Sequence, residues 1–272
     1  MSFNHLFKSF HSFSYSGGKI SPETNDLIVE TPIEIIINQK RRLLIMFTPE
    51  RVKELVVGFV FTEGLIENVG EIEECVISSV LNGRGEQVLE ARVRIPSHRM
   101  GMVQQENKGR VSYSSCGICG TDNYYNLGTG IGRVKSRHQF SMDLLQAFPR
   151  RLKAFQPLYN RTGGAHAAVL ADSEGNSVFH CEDMGRHNAL DKVIGCALIN
   201  EIACDDKILF SSGRASLEMI LKTARVGIPV FVAMSRPTSR AVEAAKFYNI
   251  TLVDVAKGGN RIYSHVRRIK GF

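Results

Sequence analysis

The chain has no tryptophan, only eight prolines and six cysteines among 272 residues. So sparse a cysteine set cannot form the dense disulfide framework of a small secreted domain, and the thiols are read as available for chemistry, metal or packing. Long apolar runs are missing too: a stretch such as Val56 to Phe61 falls far short of the roughly 20 residues a membrane-spanning helix needs. Phe3, Phe7, Phe10 and Phe13 are interrupted by His, Lys and Ser, which leaves no apolar signal segment at the start. A cytoplasmic protein without membrane association is the expectation. Acidic residues are in deficit, 27 against 34 basic ones, for a formal charge of +7. That balance suits an anionic partner such as a phosphate-bearing ligand, and it suits an ordinary basic globular protein equally well. With 43% hydrophobic and 22% charged residues, the composition excludes a disordered or fibrous chain.

What is present is a change of pattern along the chain. A Ser- and Phe-rich start, residues 1 to 20, reads as a mobile segment. Asp26 to Asn38 and Arg42 to Phe47 are β-branched-rich runs that read as a strand pair. Thr48 and Pro49 then offer an N-cap and a first-turn proline, and Val52, Leu55, Val56 and Phe59 follow at helical spacing. Strand patterns return over Glu71 to Val80 and Gln87 to Ile95. Residues 21 to 110 are therefore expected to form a smaller α+β part. Residues 111 to 140 lose every period and read as a loop, and from 141 to 272 strands alternate with helices, which predicts a parallel sheet covered by helices. In such a sheet ligands gather at the carboxyl ends of the strands, which places Ser211 to Arg214, Ser235 to Thr238 and Lys257 to Arg261 on one rim.

The loop carries Cys116-Gly117-Ile118-Cys119. Two cysteines at that spacing suit half of a zinc site, a dithiol redox pair, or a reactive thiol that carries a group. Zinc would need two further ligands, and no second CxxC or HxxxH exists; His180 with Cys181, or His187, are the candidates to complete a site. The segment Thr162 to Ala168 resembles the His-x-Glu segment of zinc deaminases, but Ala168 stands where the proton-shuttling Glu would be, and the CxxC precedes the His. That argues against deamination. Two more clusters, Glu182 to Lys192 and Ser211 to Glu218, each follow a strand and open a helix. There, free backbone N–H groups suit a phosphate, Gly185 or Gly213 permits close approach, and Arg186 or Arg214 adds a planar donor. The alternative is that Asp183 and Ser212 cap helices and the arginines pair with nearby acids.

Taken together, Ser114 to Gly120, Thr162 to Ala168, Glu182 to Gly195, Ser212-Gly213-Arg214 and Pro237-Thr238 with Ala241 resemble the FdhD family, the formate dehydrogenase accessory sulfurtransferases. The resemblance runs from about Pro32 to Tyr263. It implies an α/β fold, a cytidine deaminase-like three-layer sheet with a smaller N-terminal α+β part. It further implies a sulfurtransferase that accepts persulfide sulfur from a cysteine desulfurase and passes it to the molybdenum cofactor, in its bis guanine-dinucleotide form, before that cofactor enters formate dehydrogenase. On that resemblance Cys116 is the persulfide-bearing residue and Cys119 its helper. Val255, Ala256, Lys257, Gly258, Gly259 and Asn260 would help hold the guanine dinucleotide. No permanent metal and no nucleic-acid partner are implied, and a homodimer is the expected assembly. Thr121 and the contracted Lys257-Gly258-Gly259-Asn260-Arg261 stretch depart from the family pattern. The rival reading is a non-enzymatic nucleotide-binding chaperone or regulatory module with a zinc-binding CxxC.

Overall fold

Alternating isoleucines build the first sheet. In the computed structural model β3 (Thr31–Ile37) buries Ile33, Ile35 and Ile37 completely, the period-two burial that a half-covered strand requires. It pairs antiparallel with β4 (Arg41–Phe47) and parallel with β6 (Gln87–Arg94), which in turn pairs antiparallel with β5 (Glu74–Leu81). A two-residue β7 (Arg110–Val111) completes the order β5-β6-β3-β4-β7. The structure describes residues 3–81, 83, 85, 87–99, 110–111, 130–256 and 259–272. Cys116 and Cys119, and with them most of the loop read over 111 to 140, lie outside the described residues, as do Lys257 and Gly258.

The start of the chain differs from the sequence reading. Instead of a mobile segment, β1 (Phe7–Ser16) and β2 (Lys19–Ile28) form a hairpin in full register, from Phe7 opposite Ile28 to Ser16 opposite Lys19. Its turn is Gly17-Gly18, with φ of 58° and 79°, the pair of left-handed residues that a two-residue hairpin turn needs. The base is fixed by Leu6, Phe7 and Ile28 against Leu158 and Ala165, and by the ion pair of Arg161 with Asp26 at 2.5 Å. The run read as one strand from Asp26 to Asn38 is thus the end of one strand and the whole of another.

The second sheet has the order β13-β12-β11-β10-β8-β9. Only β10 (Ile208–Arg214), β11 (Val230–Ser235) and β12 (Thr251–Asp254) run parallel. β8 (His166–Ala171), β9 (Ser177–Asp183) and β13 (Arg261–Ile262) join antiparallel, so the sheet is mixed where the alternation alone predicts a largely parallel one. The reason is local: Asp172 accepts N–H bonds from Glu174 and Asn176 and closes a tight turn between β8 and β9, which leaves no room for a crossover helix.

Its two faces are covered differently. On one, Ala167, Val169, Phe210, Val232 and Val253 meet Leu145, Phe148 and Leu152 of α2 (Met142–Leu152). On the other, Leu170, Leu209, Phe231 and Leu252 meet α4 (Arg186–Ile199), α5 (Leu217–Val226) and α6 (Ser239–Tyr248). A short α3 (Pro157–Thr162) lies between α2 and β8. This second core continues without interruption into β3, β4, β6 and α1 (Val52–Thr62), so both sheets share one apolar interior. The result is the mixed α/β architecture that the sequence implies.

The seam between the halves is the crossing of α1 over α4. A Cβ on Gly58 would lie 1.9 Å from the Asp191 carbonyl oxygen, and one on Gly195 would lie 1.9 Å from the Glu54 carbonyl oxygen. Two glycines, one per helix, thus let the backbones touch. Just before α1, Thr48 is not the helix cap its position suggests: the helix starts at Val52, after Arg51 in a left-handed conformation with φ 51°. Thr48 is fully buried instead. Its N–H donates to Asp183 Oδ2, its hydroxyl accepts from the Met184 N–H, and its carbonyl accepts from Lys192 Nζ. The tertiary network uses up the groups a cap would need.

Candidate functional site

At the carboxyl edge of the parallel strands, β10 bulges between Ser211 and Arg214 before Arg214 pairs with Ser235. A bulge re-aims side chains and breaks the ladder. Here it turns Ser212 back onto the start of β8, where its hydroxyl accepts from the Ala167 N–H at 2.9 Å and is hydrogen-bonded to His166 Nδ1 at 3.2 Å. Gly213 lies against the stem of Arg186: a Cβ there would meet Arg186 Cδ at 3.0 Å and His166 Nδ1 at 3.7 Å. His166, Arg186, Ser212 and Gly213, which come from three separate motifs, therefore form one contact group.

Next to it, α4 begins with Arg186 and His187. The His187 side chain is buried, and its Nε2 sits 3.1 Å from Glu218 Oε2 and 3.3 Å from Ser216 Oγ, both at the start of α5. Its Nδ1 and the Arg186 Nε are buried without a hydrogen-bond partner among the described residues. Buried donors left over in this way mark a place where a ligand or solvent acceptor belongs. The first N–H groups of a helix are unsatisfied for the same reason and carry the positive end of its dipole.

Burial, together with the charges of Arg186 and His187, lowers the His166 imidazole below its usual range, so it is neutral at neutral pH. Burial alone would raise the Glu218 carboxyl, but the hydrogen bond and charge of His187, with Lys222 and Arg186 nearby, hold it below the ordinary range. Glu218 is thus a carboxylate that orients His187. Arg214 and Arg236 are exposed on the same edge, and neither has an ion-pair partner among the described residues. Further along, Asp254 is completely buried and accepts from Tyr263 Oη at 2.5 Å and from the Ala256 N–H. Arg261 reaches the same carboxylate at 3.5 Å. The arrangement can bind anions: a row of arginines, helix N–H groups and a neutral histidine, with its acids already engaged.

Of the residues expected to hold a dinucleotide, Val255, Ala256, Gly259 and Asn260 are described, and they lie between β12 and β13. Val255 turns its side chain into the core and donates its N–H to the Ala233 carbonyl. Ala256 spends its N–H on Asp254, Gly259 gives its carbonyl to Arg261 at 3.1 Å, and Asn260 donates to Gln146 at 2.9 Å. The edge formed by Ser211 to Arg214 and Ser235 to Thr238 is where the strand order places it.

Other residues of the same motifs do not face the rim. Asp183 pairs with Lys192 at 2.6 Å, both with no exposure, and accepts from the Gly185 N–H and the Asn188 side chain. Asp191 pairs with Lys222 at 2.7 Å and accepts from Thr62 Oγ1. Glu182 accepts the Leu158 and Tyr159 N–H groups at the start of α3, and burial raises its carboxyl. The pairing of His187 with Glu218 is absent from the sequence reading; its one signal is that both lie in the first turn of a helix after a strand. No group of three or more His, Cys, Asp or Glu arranged for a metal occurs among the described residues. Cys181 faces the protein interior, and His187 is engaged by Glu218.

Comparison with known proteins agrees with this architecture. The model of the FdhD/NarQ family matches residues 28–270. The sulfur carrier protein FdhD of Sulfolobus acidocaldarius is 36% identical over 244 residues, covering 89% of this chain and 90% of that protein. The sulfur carrier protein FdhD of Xanthomonas axonopodis pv. citri is 31% identical over 256 residues, 94% of this chain and 89% of its own. The crystal structure of a protein assigned as a formate dehydrogenase accessory protein, from Desulfotalea psychrophila, superposes with a TM-score of 0.73 over 97% of this chain and 99% of its own, at 23% identity. It shares the fold. No helix is long and apolar enough to cross a membrane among the described residues.

Proposed function

Because the chain belongs to the FdhD/NarQ family, we propose that it is a sulfur carrier that serves formate dehydrogenase. It takes sulfane sulfur from a cysteine desulfurase onto Cys116 and transfers it to the bis guanine-dinucleotide form of the molybdenum cofactor, which is its substrate. The observation that carries this reading is the match to relatives named sulfur carriers, at 31% and 36% identity over about nine-tenths of their length. The Cys116-Gly117-Ile118-Cys119 sequence fits it chemically. A Cys116 thiolate attacks the outer sulfur of the donor persulfide, the donor S–S bond breaks, and the desulfurase cysteine leaves as a thiolate. Cys119 then shields the persulfide or resolves it.

The rim fits the other half of the task. Arg186, Arg214 and Arg236 supply planar donors for the phosphates of a guanine dinucleotide, and the start of α4 adds N–H groups. His166 and His187 close the inner end of the rim, where Arg186 Nε and His187 Nδ1 have no hydrogen-bond partner among the described residues. The stretch Val255 to Asn260 contributes backbone at its outer end. A cargo with two guanine ends matches two such rims related by a two-fold axis, so a homodimer is the working unit.

Intact-mass measurement after incubation with a cysteine desulfurase and cysteine tests the carrier step. A reductant-sensitive gain of one or more sulfur atoms in the wild type, absent in Cys116→Ala, is the expected result. An equal gain in both proteins, or none, overturns it. Calorimetric titration with GDP tests the rim, and light scattering the dimer.

A further inference from the structure

A second pair of cysteines lies away from the rim. Cys181 on β9 and Cys196 on α4 are fifteen residues apart in sequence, and their Sγ atoms stand 3.8 Å apart. Both are buried, at 3% and 1% exposure. The other described cysteines differ. Cys204 gives its S–H to the Ile202 carbonyl, has no thiol partner among the described residues, and is pushed up to about 11 by burial. Cys75 is likewise raised by burial.

Cys196 also has a cation. Arg51 Nη1 lies 3.6 Å from its sulfur, and the Arg51 side chain is 40% exposed. A partly exposed cation therefore touches the buried thiol, and its charge stabilises a thiolate. The hydrogen bond with Cys181 holds the Cys196 thiol below the usual cysteine range against the effect of burial, and Arg51 acts in the same direction. That bond and burial push the Cys181 thiol up. The pair is thus asymmetric, with a nucleophile at Cys196 and a protonated neighbour in contact with it, the arrangement of a reactive and a resolving thiol.

We propose that Cys181 and Cys196 form a site of reversible oxidation that closes to a disulfide in the presence of hydrogen peroxide. The Cys196 thiolate attacks one peroxide oxygen and the O–O bond breaks. The departing hydroxide takes up a proton and leaves as water, and Cys196 becomes a sulfenic acid. Cys181 sulfur then attacks that sulfur, the S–O bond breaks, and the hydroxyl leaves as a second water with the Cys181 proton. Two thiols lose two electrons in total, and one peroxide accepts them. The sulfurs must approach from 3.8 Å to the roughly 2.05 Å of a disulfide, a move that side-chain rotation and a small shift of α4 on β9 can supply. The crosslink would tie β9, which ends at Asp183, to the helix that presents Arg186 and His187.

The test is peptide mapping of the full wild-type chain after peroxide treatment, with remaining thiols alkylated in denaturant. The expected product joins the peptides holding Cys181 and Cys196 with the loss of two hydrogens, is reversed by a thiol reductant, and leaves Cys75 and Cys204 alkylated. Cys181→Ser should instead accumulate a dimedone-reactive sulfenic acid on Cys196. Full alkylation of both residues in the wild type, at peroxide levels that oxidise free cysteine, would overturn the proposal. So would crosslinks spread equally over all buried cysteines.

Discussion

The two ends of one motif treat charge in opposite ways. In the seam where α1 crosses α4, each charged group is matched: Asp183 with Lys192, Asp191 with Lys222 and Thr62, and Lys222 also with Glu63 at 3.2 Å. On the rim, Arg214 and Arg236 carry no ion pair among the described residues, and the buried Arg186 Nε and His187 Nδ1 have no hydrogen-bond partner. Glu182 to Lys192 supplies both regions. Matched buried charge holds a fold in one arrangement, whereas unmatched charge at an edge is free to meet a ligand. The density of charged residues in a sequence does not distinguish the two; the partners do.

The comparison breaks most visibly at Asp191. Its carboxyl neutralises the buried Lys222, whose ammonium is pushed up by Asp191 and Glu63 against burial. Asp191→Ala leaves that buried cation only its longer pairing with the part-exposed Glu63, and urea unfolding should report a loss of about 3 kcal/mol. The double variant Asp191→Leu, Lys222→Met should recover most of it, because an apolar pair removes the buried charge altogether. A single variant that unfolds like the wild type would show the seam to be open to water.

Next in size is the helix crossing. Gly195→Ala drives a Cβ to within 1.9 Å of the Glu54 carbonyl oxygen, a backbone atom that only a shift of α1 can relieve. Overpacking of this kind costs about 3 kcal/mol, which denaturant midpoints would measure. Gly227→Ala serves as the contrast: it has open space around its Cβ position, but its φ of 84° strains any side chain, so its cost should be smaller, about 1 kcal/mol.

Much of this seam was not legible in the sequence, for a physical reason. Periodicity reports which face of an element is apolar, and on that basis α1, α2, α4, α5 and α6, and the strands β3 to β6 and β8 to β12, were readable from residues such as Ile33, Ile35, Leu55 and Val56; the short α3, β7 and β13 carry too few residues to show a period. It does not report pairing. Lys222 and Thr62 are 160 residues apart, and nothing in either neighbourhood names the other. Thr48 was misread because a cap and a buried network use the same hydroxyl. The β1–β2 hairpin was missed because β1 mixes serine with phenylalanine, β2 is mostly polar, and both stay exposed, with Phe13, Tyr15 and Ile20 at 75%, 74% and 71%; the Gly17-Gly18 turn was the available signal. At the rim, the glycines and arginines were legible as phosphate-binding types. Their convergence on His166 depends on a bulge that no periodicity encodes.

On the rim the balance of effects should reverse. Arg214 is exposed and has no ion pair among the described residues, so Arg214→Ala should leave stability within about 0.5 kcal/mol of the wild type. On the proposed function it should weaken GDP binding roughly tenfold, equivalent to about 1.4 kcal/mol, as titration calorimetry would show. Equal binding by both proteins would remove Arg214 from the nucleotide site.

The smallest effect should come from His166, and its sign follows from the environment. Burial and the neighbouring Arg186 and His187 lower its imidazole in the folded chain, with Asp183 pulling weakly the other way. The unfolded chain binds a proton near the ordinary value of about 6.5, so below that pH the unfolded state holds more protons and is favoured. The contribution of a neutral His166 is therefore full above about pH 6.5 and is lost as the pH falls through the folded value. His180, also lowered chiefly by burial, adds to the same window, so the readout must be a difference. The urea midpoint of the wild type should fall from about pH 7.5 to about pH 5.5 by more than that of His166→Asn, whose side chain does not titrate. A parallel fall in both proteins would mean that His166 is open to water, and the inner rim would then be wet and unstrained instead of a dry pocket holding a neutral imidazole.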